Sequence, residues 1–226
     1  MHWHLRLSAL VCWNGCLSTV FRINSGIRQG GICSPGFFNV FINELIVKLR
    51  NSGLGCFIFD MFCGCLFFAD DILLMSGSLK QLQLMLDICM CFADYNDLKF
   101  NNKKSHLFQI GLPEDIVLPS LCLGCNKLSW VNELKYLGVV FMPGKRLLIN
   151  IDMNCRKFLG SSFAILQKCG CLSEEILSKL IMTHCLPILL YGIDSLFLSK
   201  DQIKKLSVAF NTVLEIGRAS CRERVS

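Results

Sequence analysis

The adjacent carboxylates Asp70 and Asp71 have the clearest capacity for chemistry in this chain, because they sit between the apolar runs Phe67-Phe68 and Ile72-Leu73-Leu74. Short apolar runs bounded by turn residues read as strands, which puts both aspartates in the tight turn of an antiparallel hairpin. Ionised carboxylates held in apolar surroundings are costly unless a cation compensates them. Their hard oxygens suit Mg²⁺, and a pair of such ions stabilises the attacking and leaving oxygens of an in-line phosphoryl transfer. A solvent-facing hairpin turn, where Asp is favoured for its own backbone hydrogen bonds, is the competing explanation. Taken alone, the pair favours that simpler one.

The elements around the pair limit where it can stand. Upstream, Ser34-Pro35 followed by Phe37, Phe38, Val40, Phe41, Leu45, Ile46 and Leu49 predicts a helix. Ser34 suits its N-cap, Pro35 its first position and Asn51-Ser52-Gly53 its stop. Apolar runs at residues 56–59, 63–68 and 72–75 predict antiparallel strands, with Asp60-Met61-Phe62 between the first two. Ser78 suits the cap of a second helix carrying Leu79, Leu82, Met85, Leu86, Cys89 and Phe92 at spacings of three and four, ended by Asn96 and Asp97. Residues 98–100 and 107–110 read as short strands, residues 128–130 and 136–141 as a possible hairpin, and the chain from about Leu147 onward as helical with a break at Cys169-Gly170-Cys171. This order predicts an α+β fold with a helical C-terminal extension.

Bulk properties leave few classes open. The 226 residues suffice for one domain, or one domain with a helical appendage. The formal charge of +6 permits a polyanionic partner without requiring one. Fifteen cysteines are spread over the whole length, and their number is odd. Residues 1–20 make a poor signal-peptide core, with His2, His4 and Arg6 before Trp13-Asn14-Gly15. Free thiols in a reducing intracellular compartment, cytoplasm or nucleus, are therefore expected. Cys122-Leu123-Gly124-Cys125 has zinc-knuckle spacing but no second ligand pair near it in sequence, so a turn is expected there, as at Cys63-Gly64-Cys65. Mean hydropathy is high, at +0.49. Residues 180–199 make the best membrane span, but His184, Pro187 and Asp194 interrupt it and a core helix pair is expected instead.

Four segments in order carry a family resemblance. Arg28-Gln29-Gly30-Gly31-Ile32-Cys33-Ser34-Pro35-Gly36-Phe37-Phe38-Asn39 closely resembles the motif before the palm helix in reverse transcriptases of non-LTR (LINE-type) retrotransposons. Phe68-Ala69-Asp70-Asp71 resembles that family's catalytic hairpin, with Phe68 where an aromatic, most often Tyr, is usual. Leu98-Lys99-Phe100-Asn101-Asn102-Lys103-Lys104-Ser105 is similar to the next motif, and Leu134-Lys135-Tyr136-Leu137-Gly138 to the hairpin that grips the primer end. Leu186-Pro187-Ile188-Leu189-Leu190-Tyr191-Gly192 is typical of thumb helices in these elements.

The resemblance implies a partial polymerase palm, an antiparallel sheet with helices, at residues 28–143, followed by a helical thumb-like region at 144–214. Residues 1–27 would be a truncated remainder of fingers and palm. Residues 215–226 resemble the in-frame translation of a sequencing-library adapter and are expected to be a non-native tail. By the same resemblance Asp70 is a metal ligand, with Asp71 secondary, and the ion is Mg²⁺. Lys104 stands near the phosphates, where it could neutralise charge or protonate pyrophosphate. Arg28, Gln29, Gly30, Gly31 and Phe68 contact nucleotide or template. Lys103, Lys145, Arg146, Arg156 and Lys157 would add phosphate contacts, unless they are simply solvated.

The implied partners are an RNA template and a DNA primer, with no membrane. The implied activity is RNA-directed DNA synthesis by two-metal nucleotidyl transfer. The family takes a further metal-binding aspartate from a strand before Arg28, yet the first acidic residue of this chain is Glu44. The chain alone is therefore expected to be inactive. The alternatives are a non-catalytic nucleic-acid-binding remnant and, less favoured, a membrane-associated protein.

Overall fold

The periodic apolar residues of the first predicted helix do form one, and its buried stripe, Ile42, Leu45 and Leu49, faces inward. The structure, a computed structural model, describes residues 7–23, 26, 30–112, 116, 118–169, 172–195 and 197–222, the last five by backbone alone. In chain order the described residues form β1 (Ser8–Ala9), β2 (Cys12–Trp13), β3 (Cys16–Leu17), β4 (Phe21–Arg22), α1 (Ser34–Asn51), β5 (Phe57–Ile58), β6 (Met61–Phe62), β7 (Cys65–Phe68), β8 (Asp71–Leu74) and α2 (Leu79–Tyr95). Then come β9 (His106–Leu107), β10 (Cys122–Leu123), β11 (Asn126–Lys127), β12 (Ser129–Trp130), β13 (Leu134–Tyr136), β14 (Val139–Met142) and β15 (Leu148–Asn150). Helices α3 (Asp152–Cys169), α4 (Glu174–Leu180), a π-helical turn (Ile181–Cys185), α5 (Leu186–Leu190) and α6 (Lys200–Arg222) complete the chain.

The fold is mixed α and β, as the residue pattern predicts, and it divides into two units. Met1–Asn102 with Leu121–Lys127 make the first, and Lys103–Ser120 with Leu128–Ser226 the second. Strands are short, and among the described residues they make small separate sheets, antiparallel except for β9 with β12.

In the first unit α1 packs on α2 through Ile42, Leu45 and Leu49 against Met85, Cys89 and Phe92. The β7–β8 hairpin lays Cys65, Phe67, Ile72 and Leu74 on the same core. Alternation along the strands turns Leu66 and Phe68 to the other face. Helix α1 starts one residue earlier than expected, with Cys33 rather than Ser34 at the N-cap and Pro35 in the first turn. Its end is as expected: the Ser52 hydroxyl donates to Leu49 O at 2.7 Å, and Gly53 takes φ +68°.

Gly55 then turns the chain with φ +94°, where an added Cβ would lie 3.1 Å from Gly64 Cα and from Met75 O. This close approach lets Cys56 N–H donate to Met75 O at 3.1 Å, Met75 N–H to Gly64 O at 2.8 Å and Cys63 N–H to Cys56 O at 2.9 Å. The β5–β6 hairpin is thereby tied to the base of the β7–β8 hairpin. Helix α2 is ended at Asn96, whose side-chain amide donates to Phe92 O at 2.8 Å. Gln83 on α2 pairs both ways with the Cys122 backbone, each bond 2.8 Å, and so holds the β10–β11 hairpin.

In the second unit β13, β14 and β15 form an antiparallel sheet. Its core joins Ile149 and Ile151 to Phe158 and Leu166 of α3, Leu177, Ile181, Cys185 and Leu189 of the α4–α5 stretch, and Leu206, Ala209 and Val213 of α6. Two expectations are corrected here. Residues 148–150 are a strand rather than helix, and α3 begins only at Asp152, whose N–H is taken by Asn150 Oδ1 at 2.9 Å. Residues 128–130 do not pair with 136–141: β12 runs parallel to β9, and the hairpin closes at Leu137-Gly138, where both residues take positive φ. Left-handed backbone at both positions is what a two-residue hairpin loop of type I′ requires.

The π-helical turn stands just before Pro187. Proline has no N–H to donate and its ring displaces the carbonyl one turn back, so the Leu186 N–H reaches Ile181 O instead. Glu174–Ser195 is, among the described residues, a stretch long and apolar enough to cross a membrane. One face of it, Leu177, Ile181, Cys185 and Leu189, is core. The palm–thumb boundary expected at 143/144 falls in the β14–β15 turn.

Helix α6 runs on through Arg222, so the backbone of residues 215–222 is helical. Glu, Ala and Arg there are good helix formers. Cys171 and the Gly170 break lie outside the described residues, as do Arg28 and Gln29.

Candidate active site

Strand pairing puts the two aspartates at the tip of a short ribbon. Phe68 stands opposite Asp71, Phe67 opposite Ile72, Leu66 opposite Leu73 and Cys65 opposite Leu74, leaving Ala69-Asp70 as a two-residue loop. Ala69 takes φ +52°, a left-handed conformation that its Cβ makes unfavourable by roughly 1–2 kcal/mol. Such strain persists only where neighbouring structure fixes it, and here the seated ribbon does so.

Asp70 and Asp71 are both exposed, so the desolvation argument for a compensating cation does not apply to the hairpin as it stands. What remains is geometry: two adjacent carboxylates at a strained tip, beside the Phe68 ring, which is 60% exposed. Their oxygens are chemically right for Mg²⁺. Among the described residues, however, no three His, Cys, Asp or Glu side chains come together to hold a metal ion. The pair alone would supply two carboxylate ligands to such an ion.

The other expected site residues lie as follows. Gly30 precedes α1 in a turn with φ +78° and open space where a Cβ would stand, so glycine is needed there for its backbone. Gly31 is half-buried, and its carbonyl accepts from Ser34 N–H at 3.1 Å. Lys104 is exposed in a turn of the second unit. Lys145 and Arg146, in the turn before β15, and Arg156 and Lys157, in the first turns of α3, are exposed in the same unit.

Cysteine chemistry does not add to the site. The described cysteines are free. Burial pushes the Cys89 thiol up to about 12, with the nearby Cys65 adding to it. Burial likewise raises Cys65, against the opposing pull of Arg50. Cys122 and Cys125 lie in β10 and its turn.

Sequence reasoning missed three positioning residues. Gly55 and Gln83 seat the hairpins of the first unit, and Tyr191 donates its hydroxyl to Leu137 O at 2.8 Å in the second. Gly55 carried a signal, since a glycine just after a helix stop favours left-handed backbone. Gln83 and Tyr191 act through contacts distant in sequence and carried none.

Comparison with known proteins places these features. The family described as Reverse transcriptase (RNA-dependent DNA polymerase) matches residues 3–141, from the β1–β4 segment through both hairpins to β14. A retrovirus-related Pol polyprotein from type-2 retrotransposable element R2DM of Drosophila melanogaster is 29% identical over 145 residues. That similarity covers 61% of this chain and 14% of the polyprotein, so the chain spans a small part of its relative. With more than half of its length matched, and the Phe68-Ala69-Asp70-Asp71 hairpin inside the match, the chain belongs to the reverse transcriptase family.

Proposed function

We propose that this chain is palm and thumb-like sequence of a non-LTR (LINE-type) retrotransposon reverse transcriptase, and that it binds an RNA template with its DNA primer. The observation that carries this reading is the exposed two-aspartate tip at residues 70–71, inside a family match that spans residues 3–141. The retrotransposon relative supports the choice of element class.

In this reading Asp70 is a direct metal ligand and Asp71 a secondary one. Bound Mg²⁺ would stabilise charge on the attacking and leaving oxygens of nucleotidyl transfer. Phe68, Arg28, Gln29, Gly30 and Gly31 would line the place of the nascent base pair, and Lys104 would neutralise the phosphates or protonate pyrophosphate. Lys103, Lys145, Arg146, Arg156 and Lys157 would meet backbone phosphates without reading sequence. Free thiols suit a reducing compartment, cytoplasm or nucleus.

Residues 1–43 contain no Asp or Glu, so no carboxylate in that stretch can complete the site with Asp70. The 226-residue polypeptide on its own is therefore a duplex binder that does not extend primers. That absence is also what favours the second reading, a nucleic-acid-binding remnant without chemistry.

Filter binding of an RNA–DNA primer-template at two salt concentrations tests the shared part of both readings. Neutralising about five phosphates should weaken binding by roughly three orders of magnitude for a fivefold rise in salt. Affinity that is absent, or indifferent to salt, would contradict it.

A further inference from the structure

We infer that Tyr191 is a positioning residue for the Leu137-Gly138 turn, so that the α5 end and the β13–β14 hairpin act as one piece. The inference rests, for its functional meaning, on the reading of that hairpin as a primer-contacting element.

Three observations in the second unit converge on this turn. Leu137 takes φ +47°, a left-handed backbone that a branched apolar side chain rarely adopts. The turn therefore stores strain that something must hold. The Tyr191 hydroxyl donates to the carbonyl of that same residue at 2.8 Å. Gly138, at φ +84°, has no side chain on its Tyr191 side, and a Cβ there would lie 3.0 Å from the ring carbon Cε1. The aromatic edge thus covers the second turn residue while the hydroxyl fixes the first.

Tyr191 is itself anchored. Its carbonyl accepts from the Asn154 side-chain amide on α3 at 3.2 Å, and Gly192, at φ +76°, lets the chain turn away behind it. A path of named contacts therefore runs from α3 through Tyr191 to the tip of the hairpin. Tyr191 is 55% exposed, so its ring is too little buried to be explained as core packing. Movement of the α3–α5 helices would carry the turn with them.

The test compares the 226-residue chain with Tyr191→Phe, which removes the hydroxyl and keeps the ring. Amide exchange at Gly138 and Val139 should become about fivefold faster, matching the loss of one neutral hydrogen bond, while the thermal midpoint of the whole chain moves little. In a Leu137→Gly background, where the left-handed turn needs no restraint, the same substitution should have almost no effect on exchange. Primer-template affinity should fall with Tyr191→Phe and be unaffected by it when Leu137 is already Gly.

Unchanged exchange in Tyr191→Phe overturns the inference, whatever binding does. Equal effects in both backgrounds also overturn it, because the hydroxyl would then serve general stability. If wild-type chain shows no duplex affinity at all, the functional reading fails, and the exchange result alone decides whether the clamp exists.

Discussion

Ala69 and Cys89 show how single residues set the properties of the first unit. Ala69 holds left-handed backbone at the aspartate tip, so Ala69→Gly removes a steric penalty and gives back part of it through a more flexible unfolded chain. A net gain of up to about 1 kcal/mol is expected as a higher urea midpoint. Ala69→Val should move that midpoint down. Cys89 is buried with its thiol raised to about 12, well above its ordinary value of 9.0. Above that ordinary value the unfolded chain loses its proton while the folded one keeps it, so stability declines as pH rises from about 9 to about 12. Unfolding monitored across this window should show the decline, on the order of a few kcal/mol, and Cys89→Ala should flatten it.

At the level of elements, the site depends on how one hairpin is seated on another. Gly55 approaches Gly64 and Met75 so closely that Gly55→Ala must shift the β5–β6 hairpin slightly against the base of β7–β8, besides straining φ +94°. A loss of roughly 2–3 kcal/mol is expected, with amide protection falling first at Cys56, Cys63 and Met75. Retained protection at those amides would show that the glycine is not needed.

Element order was largely legible in the sequence. Helices α1 and α2 announced themselves by apolar spacing and by Pro35, Ser78 and Asn96, and the Asp70 hairpin by two apolar runs around a turn. The β12–β9 pairing was not, because parallel pairing between residues 23 positions apart leaves no local pattern. Strand β15 was missed because Leu147-Leu148-Ile149 is apolar without alternation, and such a run does not distinguish strand from helix. The aspartates could be named from sequence, and the solvent-facing turn weighed there matches their exposure, whereas which face of β7–β8 the core covers was not legible.

At the scale of the whole molecule, membership of the reverse transcriptase family and the retained aspartate pair coexist with an acid-free N-terminal stretch. The central claim is that the pair is part of a metal site the polypeptide does not complete. RNA-templated primer extension by the 226-residue chain with Mg²⁺ and deoxynucleotides, beside Asp70→Asn, tests it most directly. The expected result is salt-sensitive duplex binding by both proteins and extension by neither. Mg²⁺-dependent extension by the wild-type chain that Asp70→Asn abolishes would contradict the account.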